Sequence, residues 1–265
     1  MIKDISVSLR WNTAIRHTYK EQELFGKEEK MYTFDSRVRY SEIDHTGNMT
    51  LPALINYFQD CSTFQSEDIG LGTEVLKAKK KAWILSYWQI VIERLRHWES
   101  VLQQEPLRRN LKACMETGIF VLDDARGNRL AYANSVWVFM DMEKGRPARP
   151  EPEDVLPYGS EPALEMEYED RKIRLPENLE EKPSFPVRKY HIDTNEHVNN
   201  CQYVQMALEV LPEETRVRQI RVEYKKSAVL GDVIFPKVAR EENRIVTELC
   251  SYVRLSIDRC TATYV

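Results

Sequence analysis

The feature that most constrains this chain is a repeated turn. Arg39-Tyr-Ser-Glu-Ile43-Asp44-His-Thr46-Gly-Asn48 and Arg188-Lys-Tyr-His-Ile192-Asp193-Thr-Asn195-Glu-His197 share Arg, Ile and Asp at a constant offset of 149 residues. A helix pattern follows each copy. Leu51, Leu54, Ile55, Phe58, Cys61 and Phe64 recur at the spacing of one helical face, which predicts a helix over 51–67. Pro52 suits its first turn, and Gly70 and Gly72 supply the stop. After the second copy, Tyr203, Val204, Met206, Ala207, Val210 and Leu211 predict a helix over 200–211, closed by Pro212.

Strand patterns follow each helix. Residues 82–94 (AWILSYWQIVIER) are rich in aromatic and β-branched side chains, as a long strand requires. Residues 119–123 and 129–141 flank Asp124-Ala-Arg-Gly127-Asn, a hairpin signal. Residues 219–226 alternate, with Ile220, Val222 and Tyr224 on one face. Each half therefore reads as strand, helix, then antiparallel strands, an α+β layering. Two such units can pair their sheets edge to edge, covering strands that otherwise invite aggregation.

The halves are separated by residues 142–187, which hold eight of the twelve prolines and the acidic runs EPEDV, EMEYED and ENLEE. Proline fixes φ and removes a donor, so no helix or central strand runs through this stretch. The expected organisation is an extension at 1–30, a first unit at 31–145, a linker at 146–184 and a second unit at 185–265. Three stretches resist the pattern. Residues 1–30 have no counterpart; 97–117 stand where a strand is expected yet read as helical or irregular; 251–265 match nothing earlier. An altered reading frame is one explanation for them.

Composition narrows the function. Hydrophobic residues make up 42% and charged residues 30%, enough apolar material for a core, unlike a disordered chain. The net charge of −4 gives no basic field, so nucleic acid is a poor partner. No run approaches the ~20 apolar residues of a membrane helix, and the N-terminus lacks the apolar core of a secretory signal. The five cysteines are scattered without CxxC spacing, which argues against a disulfide framework or structural zinc and favours a reducing cytoplasm. No cofactor is expected.

The chemistry concentrates at Asp193-Thr-Asn195-Glu-His197-Val-Asn199-Asn200. Histidine titrates near neutrality and suits proton transfer. A carboxylate can orient it or activate water, an amide can hold a carbonyl or a water, and helix-start N–H groups can stabilise an oxyanion. The competing reading is that Asp193, like Asp44, only caps or braces its turn. A metal reading of His191, Asp193 and His197 lacks further ligands.

The chain resembles the bacterial branch of the acyl-ACP thioesterases, relatives of the plant plastid enzymes. The resemblance is carried by RYSEIDHTGNMTLPALINYFQD (39–60), AWILSYWQIVIER (82–94), RLAYANSVWVFMD (129–141), HIDTNEHVNNCQYVQMALE (191–209) and VEYKKSAVLGD (222–232). It implies two tandem hotdog domains, each a long central helix wrapped by an antiparallel sheet. It implies hydrolysis of fatty acyl-ACP by an activated water, in fatty acid biosynthesis. Asp193, Asn195 and His197 match the family's catalytic Asp, Asn and His. His197 is implied in proton transfer, Asn195 in positioning or oxyanion binding, and Asp193 in orientation and charge stabilisation. The first half has Thr46 and Asn48 in place of the last two and is implied to form the acyl pocket, with Leu54, Phe58, Trp83 and Trp88 as candidates beside ordinary core roles.

One departure stands out. The plant relatives carry Glu then Cys where this chain has Ser227 and Ala228, so a further catalytic acid is missing. Cys201, one helical turn past His197, is a weak nucleophile candidate against burial in the core. An acidic carrier protein needs a basic surface, for which Lys77, Lys79, Lys80 and Lys81, or Lys225 and Lys226, are candidates. A homodimer is a further expectation. The alternatives are a non-catalytic acyl-binding hotdog protein or an acyl-CoA thioesterase.

Overall fold

The computed structural model describes residues 32–94, 101–112, 114–159, 164–211, 215–250 and 252–259. The elements run β1 (Phe34–Arg37), α1 (Leu51–Asp68), α2 (Thr73–Ala78), β2 (Lys81–Ile92), β3 (Val101–Lys112), β4 (Met115–Asp124), β5 (Arg129–Asp141) and β6 (Arg146–Pro147). They continue with β7 (Glu180–Glu181), β8 (Phe185–Pro186), α3 (Asn200–Leu208), β9 (Val217–Tyr224), β10 (Val233–Ile234), β11 (Pro236–Arg240), β12 (Arg244–Leu249) and β13 (Val253–Arg259). One sheet has the order β1-β3-β4-β5-β2-β9-β13-β12-β11-β7, with β6 added on β5. The strands of the two halves meet at β2 and β9, which pair antiparallel with Trp88 opposite Val222 and Ile90 opposite Ile220. The expected edge-to-edge pairing is therefore present, and it makes one continuous sheet.

Both helices lie on the same face of this sheet. Alternation along β2 points Trp88, Ile90 and Ile92 at them, and along β9 Ile220 and Val222. Phe58 of α1 packs on Trp88 and Phe120 with ring centroids 5.9 and 5.6 Å apart, and Trp88 and Phe120 lie 5.1 Å apart. Tyr203 of α3 meets Tyr224 edge-on at 6.2 Å. Leu54, Phe58 and Trp88 are fully buried core residues, whereas Trp83 is half-buried against Phe139 at 4.8 Å. Phe64 departs from the predicted helix face. It is 41% exposed and stacks edge-on against Phe34.

Two of the irregular stretches are corrected. Within 97–117, the chain forms β3 and the start of β4, paired antiparallel from Leu102 opposite Asp124 to Lys112 opposite Met115. Sheet pairing between long neighbours overrides the weak local preference. The segment 253–259 is β13, held between β9 and β12. Its Val253, Leu255 and Ile257 alternate and are fully buried, a period-two signal that turn chemistry alone overlooks. Regular strands at 101–112 and 253–259 remove the reason to suspect an altered frame in those residues; 97–100, 113, 251 and 260–265 lie outside the described residues. Residues 1–30 lie outside the described residues.

The proline-rich segment carries only short pieces of structure, two 3-10 turns at Pro152–Asp154 and Leu156–Tyr158 and the pairs β6, β7 and β8. It crosses the face of the sheet opposite the helices. Between these short pairings its backbone is satisfied by sheet side chains. Gln89 Nε2 donates to the Glu167 carbonyl at 2.8 Å and its Oε1 accepts from the Glu169 amide at 3.1 Å. Glu223 accepts from the Ile173 amide at 3.1 Å, and Arg221 and Arg254 donate to the carbonyls of Asp170 and Ile173. Ile173 itself is fully buried.

The Phe58–Trp88–Phe120 cluster joins helix to sheet beside the junction. Trp88→Ala is expected to cost about 3–5 kcal/mol, read as a lower urea midpoint with an unchanged denaturant slope.

Candidate active site

The site is built by the second copy of the repeated turn. A 3-10 turn at Lys189–His191 leads into an isolated bridge between Ile192 and Val198, and α3 begins at Asn200. Each feature has its partner 149 residues earlier, at Tyr40–Glu42, Ile43–Met49 and Leu51. The backbone of Asp193 donates to the His197 carbonyl at 2.8 Å, as Asp44 does to Asn48 at 2.9 Å. Asn199 caps α3 by accepting from the Cys201 amide at 2.9 Å, and Thr50 caps α1 by accepting from Ala53 at 3.2 Å.

Asp193 is a brace. Its Oδ1 accepts from the amides of Asn195 at 2.8 Å and His197 at 3.4 Å, as Asp44 Oδ1 does from Thr46 and Asn48. The turn also requires one left-handed residue. Gly47 takes it at φ 81° in the first copy, but Glu196 takes it at φ 62° in the second. A Cβ in that region is strained by about 1–2 kcal/mol, and such strain gathers where backbone geometry serves a purpose.

The two turns differ most in their side chains. In the first, Thr46 donates its hydroxyl to Asp44 at 2.6 Å and Asn48 donates its amide to Thr46 at 2.9 Å, so the polar groups satisfy one another. In the second, the exposed Asn195 amide and the half-buried His197 ring make no hydrogen bond with any described residue. The equivalent turn has thus exchanged a closed network for two open groups, an amide and an imidazole, beside a helix N-terminus.

The surrounding residues are committed to structure. His191 is buried, and its Nδ1 accepts from the Arg188 amide at 2.9 Å; burial, and then the Arg188 charge, lower its pKa. It is therefore a capping residue and stands apart from the metal reading. Val198 donates to the Ala228 carbonyl at 2.9 Å, which lays the segment carrying Ser227 against the turn. The Ala228 amide in turn donates to the Tyr203 hydroxyl at 2.6 Å, and the Tyr224 hydroxyl donates to the Asn200 carbonyl at 3.1 Å. These two tyrosines were not distinguishable from core residues by sequence. Their place in an apolar stripe hides the hydroxyls that tie α3 to β9 and its following loop. Ser227 is exposed and makes no hydrogen bond with a described residue.

Cys201 is not a nucleophile. It is 1% exposed and its Sγ donates to the Pro52 carbonyl at 3.2 Å. Burial, with the Asp60 charge, pushes its thiol up to about 12. Of the lysine cluster at 77–81, Lys77 stays exposed with Glu74 at 4.0 Å, and the other three pair with acids further along the chain. Lys79 pairs with Asp154 at 2.8 Å and Glu153 at 3.1 Å, Lys81 with Asp141 at 2.7 Å, and Lys80 with Glu143. Lys225 and Lys226, beside Ser227, stay exposed, the first 3.8 Å from Glu223 and the second over the Tyr252 ring.

Two helices on one continuous antiparallel sheet, each preceded by the same braced turn, define a tandem hotdog protein with one elaborated turn. Comparison with known families gives the same class. Residues 29–158 match the model of the acyl-ACP thioesterase N-terminal domain and residues 176–254 that of the C-terminal domain. The chain belongs to the acyl-ACP thioesterase family. It is 26% identical over 210 residues to a chloroplastic acyl-[acyl-carrier-protein] hydrolase of Cuphea viscosissima, covering 71% of this chain and 50% of that protein. It is 24% identical over 219 residues to the chloroplastic palmitoyl-acyl carrier protein thioesterase of Arabidopsis thaliana, covering 74% and 52%. The chain thus spans about half the length of the curated relatives it matches. Among solved structures, an acyl-ACP thioesterase from Bacteroides thetaiotaomicron superposes with a TM-score of 0.79 at 20% identity, covering 88% of this chain and 99% of that one. The 12:0-ACP thioesterase from Umbellularia californica superposes with a TM-score of 0.75 at 17% identity, covering 88% and 98%. These two likenesses speak to the fold.

A thiol titrating near 12 is almost wholly protonated at pH 8. Iodoacetamide at that pH is expected to modify the half-buried Cys114 and Cys250 in the native protein while sparing Cys201, as read by peptide mass spectrometry.

Proposed function

We propose that this protein hydrolyses the thioester of fatty acyl-ACP, releasing a free fatty acid and the carrier thiol. The observation that carries the proposal is the open pair Asn195 and His197, where the equivalent Thr46 and Asn48 are closed upon Asp44. The family and the names of its relatives point to the same substrate class.

In this proposal His197 takes a proton from the attacking water as its oxygen adds to the thioester carbon. The oxyanion is held by the Asn195 amide and by N–H groups at the start of α3. Collapse breaks the C–S bond, and the proton passes from His197 to the departing thiolate. Asp193 acts through the turn, fixing the amides of Asn195 and His197, and its charge favours the imidazolium that forms. The first half supplies the apolar side of the acyl site, with its α1 and β2 residues. Domain limits of 31–145 and 185–265, joined by 146–184, are proposed on the same footing.

The carrier protein is proposed to approach over Lys225 and Lys226, the exposed cations nearest the Ser227 segment. The described cysteines are buried or half-buried and form no disulfide with one another, which suits a reducing compartment, and the cytoplasm is proposed. No helix among the described residues is long and apolar enough to cross a membrane.

The test is thiol release from acyl-ACP across chain lengths. His197→Ala is expected to lower kcat/KM by about 10²–10⁴-fold and Asn195→Ala by about 10²–10³-fold, with Tm unchanged for each. Full activity in His197→Ala would end the proposal.

A further inference from the structure

We infer that Asp60, on the helix of the first half, is the carboxylate that completes the reaction site of the second half by holding the attacking water against His197. The inference rests on the reaction proposed above.

The geometry follows from the internal symmetry. Strands β2 and β9 occupy the same place in their halves and pair antiparallel, so a local two-fold axis runs normal to the sheet between them. Helices α1 and α3 lie on that sheet, perpendicular to the axis, and the axis therefore sets them antiparallel. Their point of closest approach is explicit. Cys201 Sγ donates to the Pro52 carbonyl at 3.2 Å, and these residues are equivalent, 149 positions apart. Along α1, residues beyond Pro52 consequently run towards residues before Cys201, which are those of the Asp193–Asn199 turn. Pro52, Asn56 and Asp60 form one stripe at helical spacing, and Asp60 is its third member.

The state of Asp60 supports this placement. Its carboxylate raises the pKa of Cys201 through its charge, so the two side chains are near neighbours across the helix contact. Asp60 is half-buried and makes no hydrogen bond or ion pair with any described residue. Burial raises its own carboxyl above the ordinary range, against the pull of Arg39. Nearby Glu42 has been satisfied instead, accepting from the Tyr57 hydroxyl at 2.6 Å and from the Arg39 amide at 2.7 Å. An unsatisfied half-buried carboxylate beside a reactive turn costs stability, a pattern common to functional acids. It also answers the gap at Ser227. The water needs an acceptor for its second hydrogen, and Ser227 cannot carry a negative charge at neutral pH.

Water would then be held by two acceptors. One proton passes to His197 as the oxygen bonds to the thioester carbon, while Asp60 keeps the other hydrogen and its charge steadies the imidazolium. The C–S bond breaks and the His197 proton leaves with the thiolate. The charged groups that act on Asp60 are Arg39 and Glu42, with Tyr57 on the same helix and Cys201 across the contact; the inferred placement sets the Asp193–His197 turn beside them.

The experiment compares Asp60→Asn and Asp60→Glu with wild type on acyl-ACP. Asp60→Asn is expected to lower kcat by about 10²-fold with KM within threefold, and Asp60→Glu to keep activity within about tenfold of wild type. In wild type the acid limb of kcat/KM should be steeper by one proton than in Asp60→Asn, since Asp60 must be unprotonated. A purely structural carboxylate would not produce that change. Stability gives a second readout. A raised pKa in the fold means that ionised Asp60 destabilises it at neutral and alkaline pH. Asp60→Asn should then raise Tm by about 1–3 °C at pH 8, a gain that vanishes below roughly pH 4, where the carboxyl is protonated in both states. Asp60→Asn within threefold of wild type with an unchanged acid limb overturns the inference, as does a Tm loss beyond about 5 °C. A wild type inactive on every acyl-ACP overturns the proposed reaction along with it, whereas an active wild type beside an active Asp60→Asn overturns Asp60 alone.

Discussion

The pairing of β2 with β9 is the constraint on which the rest depends. It fuses the sheets of the two halves through cross-strand partners such as Trp88 with Val222 and Ile90 with Ile220. It closes the two edges most in need of cover. Because the pair is antiparallel, it also imposes the two-fold relation between the helices above it. The contact of Cys201 with Pro52 is a product of that relation.

A second consequence falls on the outer face. The long linker must travel between the halves, and its prolines bar it from joining the sheet as a regular strand. It crosses the junction instead, and the junction strands present Gln89, Arg221 and Glu223 where an open sheet face would carry solvated residues. Gln89 is fully buried and satisfied at both ends of its amide. Arg221 adds an ion pair with Glu169 at 3.4 Å. The buried Gln89 amide with complete partners fixes one arrangement, and with the Arg221 and Glu223 contacts it makes the linker a strap on the junction as well as a connection.

Much of this was legible in the residues, and the failures have physical causes. The repeat gave both helices and the braced turn, because Asp, left-handed residue and cap act locally, within eight positions. The strands β2 and β5 were legible because aromatic and β-branched residues crowd them. Strand β3 was not, since HWESVLQQEPLRRNLK carries no apolar alternation and its pairing is decided by β4 and β1. Strand β13 carried its alternation plainly in Val253, Leu255 and Ile257, but its flanks lack turn signals. Asp193 was open between brace and catalyst. The brace is visible in its hydrogen bonds to the Asn195 and His197 amides. The lysines at 79–81 read as a free basic patch because their acid partners, Asp141, Glu143, Glu153 and Asp154, lie 60 to 75 positions away in sequence.

Tandem duplication in one chain permits what two identical subunits could not. In a symmetric pair, every substitution in one turn appears in the other. Here the copies have diverged position by position. Thr46 faces Asn195, Asn48 faces His197, Gly47 faces the strained Glu196, and half-buried Asp60 faces exposed Glu209. The first turn keeps the relaxed glycine and a self-satisfied network, which favours stability. The second accepts strain and leaves its amide and imidazole open. Each turn can therefore be shaped for its own demand, the first for a self-satisfied network and the second for open polar groups, while β2 and β9 keep the two halves in register.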